Sequence, residues 1–255
     1  MSGSDWQVRH RFYVEQPLTP GTSCVLDSIA RQLATVLRLA PGQSILLVNG
    51  DGCEYLVKLS AVAPRQAAGD VLDSCPCAGD PRRELTLVQA SLKQDKFEWV
   101  LQKGTELGVT RFVPVVSERS VVRPAAALYK KYDRWRAVLR EAVEQCGRSR
   151  LPELADPVEW PALTLPASSH GFVAWEAAGG APHLATAVAT MPPSVDGVAP
   201  GIALLIGPEG GLTADEVAGA EAGGWRVVSL GPRILRAETA ALAAVTMALA
   251  DDHVG

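Results

Sequence analysis

The sequence predicts an α/β fold with a mainly parallel sheet, preceded by a smaller β-rich part. After about residue 80, short apolar runs alternate with amphipathic helical patterns, which is typical of parallel strands joined by helices. Before that point, short β-type runs flank a turn with the sequence Asn-Gly-Asp-Gly at 49–52. Near the C-terminus, two loops that contain glycine each follow a buried-type strand and lead into a helix. Such loops place ligands at the carboxyl edge of an open sheet.

The N-terminal part contains three predicted strands and one predicted helix. Arg11–Val14 and Ser44–Val48 are short β-type runs, and Cys53–Leu59 alternates apolar and polar residues. The Asn49–Gly52 turn fits a hairpin between the last two strands, because Asn-Gly tolerates the positive φ that such turns need. A helix is expected around Asp27–Leu39.

Residues 62–83 hold the predicted domain boundary. They are rich in Ala, Pro, Gly and Asp, as segments between domains often are. We therefore expect two domains, which span residues 1–78 and 79–255.

The second part begins with a strand and a capped helix. Leu85–Gln89 is a buried-type strand, and Asp95 is expected to cap a helix, with Glu98 completing a capping box. Gly108 ends that helix. Its apolar face is formed by Phe97, Val100, Leu101 and Leu107.

Strands and helices then alternate to the end of the chain. A long helix is predicted over Ala125–Gln145, and Thr213 and Glu216 form the capping box of another helix. The apolar stripe of the long helix is Leu128, Tyr132, Trp135, Leu139 and Ala142. The remaining predicted strands are Arg111–Val116, Phe172–Trp175, Ile202–Ile206 and Arg226–Ser229, and the remaining helices are His183–Ala189 and Glu238–Ala250.

The composition excludes several classes of protein. With 47% hydrophobic and 20% charged residues among 255, the chain can form an ordinary core. No apolar run reaches the ~18 residues of a membrane span, and charges occupy the N-terminus where a signal peptide needs an apolar segment. We expect a cytoplasmic protein that does not bind membranes. The five cysteines are scattered, with no second pair or histidine cluster to complete a zinc site, so no metal is expected.

The charge is unevenly distributed along the chain. The whole chain has a net charge of −4. Residues 82–150 alone hold 15 Lys and Arg and 8 Asp and Glu, a net charge of +7. A basic segment suits a polyanionic partner such as RNA, and a solvated helix face is the alternative interpretation.

The first C-terminal loop, Gly207–Gly211, suits a ligand that is recognised through backbone groups. Glycine has no Cβ, so the backbone can approach a ligand closely. The loop matches neither the P-loop nor the Gly-x-Gly-x-x-Gly fingerprint. Phosphate binding is therefore poorly supported, and an adenine edge fits better. A plain strand-to-helix turn is the alternative when this loop is taken alone.

The second loop places Arg233, Arg236 and Glu238 at the start of a helix. The helix dipole favours glutamate there but disfavours arginine. The arginines therefore suggest a function such as holding an anion. The alternative is a surface ion pair of Arg236 with Glu238, worth only ~0–1 kcal/mol.

The two loops belong to a set of motifs that spans nearly the whole chain. These are RFYV at 11–14, VLRLAPGQ at 36–43, KFEWVLQKGTELGV at 96–109, SERS at 117–120, EAVEQCGRSRLPE at 141–153, LLIGPEGGLTADE at 204–216 and LGPRILRAETAA at 230–241. Together they resemble the bacterial 16S ribosomal RNA (uracil-N3)-methyltransferase family of the SPOUT superfamily. The resemblance is most specific in the last two motifs taken as a pair.

The resemblance implies both a fold and a reaction. The expected fold is a C-terminal trefoil-knotted domain, an exception to the rule against knots, with a small N-terminal PUA-like β-barrel that binds RNA. The expected cofactor is S-adenosylmethionine. The expected partners are 16S ribosomal RNA or the small ribosomal subunit, and a second copy of the chain in a homodimer. The expected reaction methylates N3 of a specific uridine.

The resemblance also implies which residues hold the cofactor. The first loop would contribute Gly207, Glu209, Gly210 and Gly211, and the second Leu230, Gly231, Ile234, Leu235 and, further on, Thr239. Val173, Trp175 and Glu176, at the end of an earlier strand, would close the pocket.

The reaction needs mainly alignment and loss of the uracil N3 proton, because the sulfonium methyl group is itself an electrophile. Alignment can lower a barrier by ~7–11 kcal/mol. Arginine can stabilise the developing uracil anion, and Arg11 or Arg236 is predicted to do so. Glu238 completes the predicted catalytic set. No histidine lies in either loop, so a histidine base is not expected.

RNA affinity is expected to depend mainly on residues 82–150, because the N-terminal part has few cations after Arg38. Affinity from such contacts falls steeply with salt. The predicted RNA-binding residues are Arg9, Arg38, Lys93, Lys96, Lys103, Arg119, Arg123 and Arg148.

Three other functions compete with this hypothesis. A knotted methyltransferase with another nucleoside or RNA target would share the cofactor loops, which define the cofactor better than the target. A non-catalytic RNA-binding or ribosome assembly factor is disfavoured because both loops are complete. A nucleotide-binding oxidoreductase lacks its glycine fingerprint.

Overall fold

The computed structural model describes residues 6, 8–93, 95–167, 169–192 and 199–250. It forms two compact units. The N-terminal unit is Met1–Asp80 with Val143–Leu151, and the C-terminal unit is Pro81–Ala142 with Pro152–Gly255.

Twelve strands and five α-helices lie in the described ranges. The strands are β1 (Arg11–Tyr13), β2 (Ser23–Val25), β3 (Ser44–Val48), β4 (Cys53–Ala63), β5 (Gln66–Pro76), β6 (Leu85–Ala90), β7 (Arg111–Val116), β8 (Glu153–Leu154), β9 (Val158–Glu159), β10 (Ser169–Ala174), β11 (Gly201–Ile206) and β12 (Arg226–Val228). The helices are α1 (Lys96–Glu106), α2 (Tyr132–Cys146), α3 (Leu184–Ala189), α4 (Ala214–Ala222) and α5 (Ala237–Ala248).

The N-terminal unit contains a five-stranded sheet in the order β1-β3-β4-β5-β2. β1 pairs with β3 in parallel, and the other pairs are antiparallel. The predicted alternation in β4 is confirmed, because Tyr55, Val57 and Leu59 are all buried. The turn at residues 49–52 joins β3 to β4, as the Asn-Gly sequence indicates.

The predicted helix at Asp27–Leu39 is wrong in its hydrogen bonding. The segment forms a 3-10 turn at Asp27–Ile29 and a π-helical stretch at Gln32–Val36. Its apolar spacing is nevertheless helical, and Leu26, Ile29, Ala30 and Leu33 are buried. The Asp27 carboxylate accepts a hydrogen bond from the Ala67 N–H of β5 and does not cap a helix. A tertiary contact therefore replaces the local cap that a regular α-helix would use.

The segment Val143–Leu151, which includes the last turn of α2, belongs to the N-terminal unit. The Asp80 carboxylate accepts hydrogen bonds from the Ser149 N–H and hydroxyl and from the Arg150 N–H. The Tyr13 N–H donates to Glu144 over 2.9 Å. The sequence does not reveal that a segment from the middle of the chain completes this unit.

The C-terminal unit contains a seven-stranded sheet in which every strand pair is parallel. Its order is β12-β10-β11-β6-β7-β8, and β9 also pairs with β7. The predicted α/β class with a mainly parallel sheet is confirmed. In register, Ala174 lies beside both Ile206 and Val228. Three neighbouring strands therefore end at one edge, and the loops that follow them start there together.

Helices α1 and α5 pack against each other, and α5 also packs on α3, β6 and β11. The predicted stripe of the long helix is confirmed, because all five of its apolar side chains are buried. The Trp135 ring stacks on Phe97, with centroids 4.3 Å apart. The first part of this predicted helix, Ala125–Lys131, forms a 3-10 helix. The Ala125 N–H donates a hydrogen bond to the Glu159 carboxylate.

Only one of the two predicted capping boxes forms. Thr213 and Glu216 make both reciprocal hydrogen bonds at the start of α4. Asp95 makes no side-chain cap at the start of α1, and Glu98 instead pairs with Arg134 over 3.2 Å. An ion pair between α1 and α2 therefore takes the place of the hydrogen bonds of the predicted capping box.

Among the described residues, none of the helices combines the length and the apolar character that crossing a membrane requires. The same residues contain no group of three or more His, Cys, Asp or Glu that could hold a metal ion.

Candidate cofactor site

A cavity of about 490 Å³ opens at the carboxyl edge of the parallel sheet in the C-terminal unit. This volume falls within the range of small-molecule sites. The loops that follow β10, β11 and β12 form most of its wall, with a contribution from the start of α1. Its lining residues are Lys96, Ala174, Trp175, Glu176, Ile206, Gly207, Pro208, Glu209, Gly211, Ser229, Leu230, Gly231, Pro232, Arg233, Ile234, Leu235, Arg236, Ala237 and Ala240.

The structure brings most of the predicted cofactor residues into this one lining. They are Trp175, Glu176, Gly207, Glu209, Gly211, Leu230, Gly231, Ile234 and Leu235, together with the predicted catalytic Arg236. Five other predicted cofactor or catalytic residues lie outside it, namely Val173, Gly210, Thr239, Glu238 and Arg11. Val173 is fully buried in a core beside Leu205 and Leu212, because successive side chains of a strand point to opposite faces.

The first loop needs glycine at residue 211. Gly211 has φ +73°, in the left-handed region that side chains rarely adopt. A Cβ at this position would also collide with the Glu176 carboxylate. The positive φ is what favours glycine here, because the Glu176 carboxylate is the far end of a flexible side chain and can turn aside.

Two side chains outside the loop fix its backbone. Gln89, fully buried at the end of β6, donates from Nε2 to the Gly207 carbonyl over 3.3 Å. Arg119 donates from Nη1 to the Gly210 carbonyl over 3.0 Å. Sequence reasoning missed Gln89. The only available signal was a polar residue in an otherwise apolar strand.

The second loop is held by Ser229. The Ser229 hydroxyl accepts a hydrogen bond from the Gly231 N–H over 3.1 Å, and Gly231 has φ +112°. Arg236 occupies the N-cap position of α5 in extended conformation, and its side chain makes no cap. The Arg236 side chain is exposed, and the residue lines the cavity. Ile234, at 87% exposure, is the most exposed large apolar side chain among the described residues.

A cluster of one cation and two carboxylates lies beside the cavity. The Lys96 ammonium, on the first turn of α1, is 3.4 Å from Glu209 Oε1 and 3.4 Å from Glu238 Oε2. The Lys93 N–H donates to Glu209 over 3.1 Å. The prediction assigned Lys96 to RNA, Glu209 to the cofactor and Glu238 to catalysis, and the structure brings all three together.

The pKa of Glu209 lies below its usual value. Burial favours the neutral acid, but three groups outweigh it: the Lys93 N–H, the N–H of Glu209 itself and the Lys96 ammonium. Glu209 is therefore ionised at neutral pH and holds the start of α1 against the first loop.

Arg11, the other predicted catalytic arginine, lies in the N-terminal unit. It forms an ion pair with Glu54 and donates to the Arg148 carbonyl over 3.3 Å. Arg148 was predicted to contact RNA, but it is only 3% exposed, whereas a phosphate contact needs an accessible guanidinium. Its burial lowers the pKa of Arg148.

The other predicted RNA-binding residues differ in their surroundings. Those exposed are Arg9, Arg38, Lys93, Arg119 and Arg123. Lys103 is half-buried and pairs with Glu106 over 2.8 Å. Lys96 lies in the cavity wall, as described above.

Comparison with known proteins identifies the family. Residues 80–249 match an RNA methyltransferase domain, and residues 29–72 match an RNA methyltransferase PUA domain. Ribosomal RNA small subunit methyltransferase E of Bacillus subtilis is 33% identical over 88% of each chain. The protein of the same name from Mycobacterium bovis is 32% identical over 92% of this chain and 88% of its own.

Solved structures agree with the sequence matches. Ribosomal RNA small subunit methyltransferase E from Neisseria gonorrhoeae, bound to S-adenosylmethionine, has a TM-score of 0.83 and 32% identity, with 94% of this chain and 97% of that chain covered. A putative methyltransferase from Legionella pneumophila, also with S-adenosylmethionine, has a TM-score of 0.84 and 30% identity, with 96% and 98% covered. The chain therefore belongs to the RNA methyltransferase family, as its motifs predict, and its relatives there are ribosomal RNA small subunit methyltransferases E.

Proposed function

We propose that this protein uses S-adenosylmethionine to methylate N3 of a specific uridine in 16S ribosomal RNA of the small ribosomal subunit. One observation carries the proposal: both motif loops of the family line a single cavity at the carboxyl edge of the sheet. Relatives of similar sequence carry this cofactor.

The residues of the cavity fit S-adenosylmethionine. Glycine at 207 and 211 leaves backbone groups free to approach an adenine edge. The Trp175 side chain and the second loop offer apolar contacts. Glu176 and Glu209 supply negative charge that suits a sulfonium and an ammonium group. When bound, the cofactor supplies an electrophilic methyl group.

We assign the charged residues to different tasks. Arg236, exposed at the cavity wall, is placed to meet the negative charge of the target nucleotide. Arg11 remains a predicted catalytic residue, and its pairing with Glu54 fixes its orientation. The exposed cations, Arg9, Arg38, Lys93, Arg119 and Arg123, would contact RNA phosphates.

Four further features belong to the proposal: two domains, a dimeric state and a cellular location. Residues 1–78 would form a PUA-like β-barrel domain that binds RNA, and residues 79–255 the methyltransferase domain with its trefoil knot. In support of the knot, the chain leaves β12 at the sheet's edge, and α5 then packs back onto the central strands β6 and β11. We also propose a homodimer, and residence in the cytoplasm, where ribosomal subunits are found.

Calorimetric titration with S-adenosylmethionine tests the cofactor site. Gly211→Ala should weaken binding about tenfold or more, because strain at a positive φ costs ~1–3 kcal/mol and the new Cβ meets Glu176. Gly219→Ala is the matched control, because an added Cβ there meets no atom within 4 Å. Equal binding by both variants would place the cofactor elsewhere.

The target is tested with small subunits from cells that lack the protein. Purified protein and cofactor should convert one uridine of the 16S RNA to N3-methyluridine, detected by mass spectrometry of nuclease fragments. Methylation of another nucleoside would support the competing methyltransferase hypothesis. Tight RNA binding without any methyl transfer would support a non-catalytic assembly factor.

A further inference from the structure

We propose that the Lys96 ammonium holds the target uracil as its N3 anion, and that Glu209 and Glu238 are positioning residues for that ammonium. The inference rests on the proposed function, and it names the group of the same cavity that meets the reacting base. Sequence reasoning assigned Lys96 to phosphate binding, which its position in the cavity wall does not favour.

Lys96 is held so that its side chain faces the cavity. Its side chain is 31% exposed and lines the cavity, while its ammonium lies 3.4 Å from a carboxylate oxygen of both Glu209 and Glu238. An ammonium carries three N–H donors. Each carboxylate approaches the ammonium with one oxygen, so we expect the third donor to be available to a ligand in the cavity.

The two carboxylates that flank Lys96 are themselves fixed. The Glu209 carboxylate accepts a hydrogen bond from the Lys93 N–H. Glu238 Oε2 is buried and accepts no hydrogen bond from the described part of the chain, so the nearby ammonium is its compensation. A buried carboxylate of this kind retains the cation strongly.

Lys96 differs from the two arginines of the cavity in its exposure to solvent. Arg233 and Arg236 are exposed on the second loop, where a guanidinium can meet a phosphate. Lys96 is more sheltered, so its charge is less screened by water. With a carboxylate oxygen 3.4 Å away on each of two glutamates, the Lys96 ammonium is held at the cavity wall as a hydrogen-bond donor.

The chemistry requires such a donor. The uracil N3–H bond breaks and its proton passes to solvent, which leaves negative charge on N3 and the two flanking carbonyl oxygens. The N3–methyl bond then forms as the sulfonium–methyl bond breaks, and a neutral thioether leaves. A hydrogen bond from Lys96 to a uracil carbonyl oxygen stabilises the anion before and during transfer.

Lys96→Met tests the inference, because methionine keeps an unbranched side chain of most of the length and removes the charge. We expect kcat near neutral pH to fall by ~10²–10³-fold, as when one oxyanion donor is removed, with Kd for S-adenosylmethionine and KM for the RNA changed only slightly. The loss should shrink as pH rises toward the pKa of uracil N3. It should also shrink on RNA with 5-fluorouracil at the target, whose N3–H is more acidic.

Matched variants complete the design. Lys130→Met removes an exposed lysine outside the cavity, so any effect should fall on KM for the RNA and leave kcat and its pH profile unchanged. Glu238→Gln should lower kcat and shift the pH profile in the same direction as Lys96→Met, and Glu238→Asp should restore part of the activity. Lys96→Arg keeps the charge and should therefore retain more activity than Lys96→Met. If the Glu238 variants fail to fold, the comparison of these two Lys96 variants tests the role of Lys96.

The outcomes separate this inference from the proposed function. A wild-type protein that forms no N3-methyluridine overturns the proposed function. A wild-type protein that does, combined with a Lys96→Met loss that is equal at every pH and on both RNAs, overturns only the role of Lys96. A loss confined to RNA KM would return Lys96 to phosphate binding, and a loss confined to cofactor Kd would assign it to the cofactor.

Discussion

Gln89 Nε2 lies 3.3 Å from the Gly207 carbonyl and ties the end of one central strand to the start of the first cavity loop. The same nitrogen is 3.1 Å from the Ala90 carbonyl. Gln89 is fully buried, so it can act on a ligand only by holding the backbone that lines the cavity.

Gln89→Leu should therefore weaken cofactor binding and lower stability. Leaving a buried carbonyl without its donor costs ~1–3 kcal/mol. Urea unfolding and calorimetric titration measure the two effects, and Gln102→Leu, on the accessible side of α1, is the control. Unchanged cofactor affinity in a destabilised Gln89→Leu variant would restrict Gln89 to a structural role.

Glu216→Ala should destabilise the protein by more than a single lost cap. The Glu216 carboxylate accepts the Thr213 N–H over 2.9 Å and the Glu118 N–H over 2.7 Å, and it is 7% exposed. Hydrogen bonds to a charged group contribute ~1.5–3 kcal/mol each. Glu221→Ala, on an exposed part of the same helix, should change the free energy of unfolding by less than ~0.5 kcal/mol. Similar unfolding curves for both variants would contradict this assignment.

The lowered pKa of Glu209 predicts a specific dependence of stability on pH. A carboxylate whose pKa is lower in the folded than in the unfolded state stabilises the fold above its unfolded pKa, ~4.3. That contribution is lost as pH falls through the folded-state pKa. Glu209→Gln should therefore be less stable than wild type at pH 7, and the two should converge under strong acid. Thermal unfolding at several pH values checks this, and a difference that is constant with pH would exclude the mechanism.

Asp80→Ala should loosen the segment that returns to the N-terminal unit. The Asp80 carboxylate accepts two hydrogen bonds from Ser149 and one from Arg150. We therefore expect the amide hydrogens of residues 147–151 to exchange with solvent faster in the variant than in the wild type. The free energy of unfolding should fall by ~2 kcal/mol or more. Glu141→Ala, at an exposed position of α2, is the control. Unchanged exchange at these amides would show that other contacts hold the segment.

Strands buried on both faces were predictable from the sequence, because such burial leaves uninterrupted apolar runs. The strands β2, β5, β8 and β9 were not predicted, and β5 lies within the segment assigned to the domain boundary. β3 and β7 have the predicted limits, and β6, β11 and β12 differ by one residue at one end. Periodicity also identified the buried stripe of α2. It could not identify hydrogen-bond type, so the segment after Asp27 contains 3-10 and π turns.

Side-chain partners were less predictable, because they depend on contacts far apart in sequence. Glu98 meets Arg134, and Asp27 meets Ala67, where local rules favour helix caps. The cavity residues were found through motifs, yet the meeting of Lys96 with Glu238 across 142 positions has no local signature. Exposure was also hard to predict. Arg148 lies in a basic segment of the sequence, yet it is buried.

The use of Val143–Leu151 by the N-terminal unit has a consequence for how the protein is made. As the chain emerges from the ribosome, residues 1–80 appear well before the segment whose backbone Asp80 holds. Domains generally fold as units during synthesis, but this one acquires its last segment only after residue 151 has been released. A gene fragment that stops near residue 80 omits the segment that Asp80 holds, so we expect its product to be less stable than the same unit in the full chain.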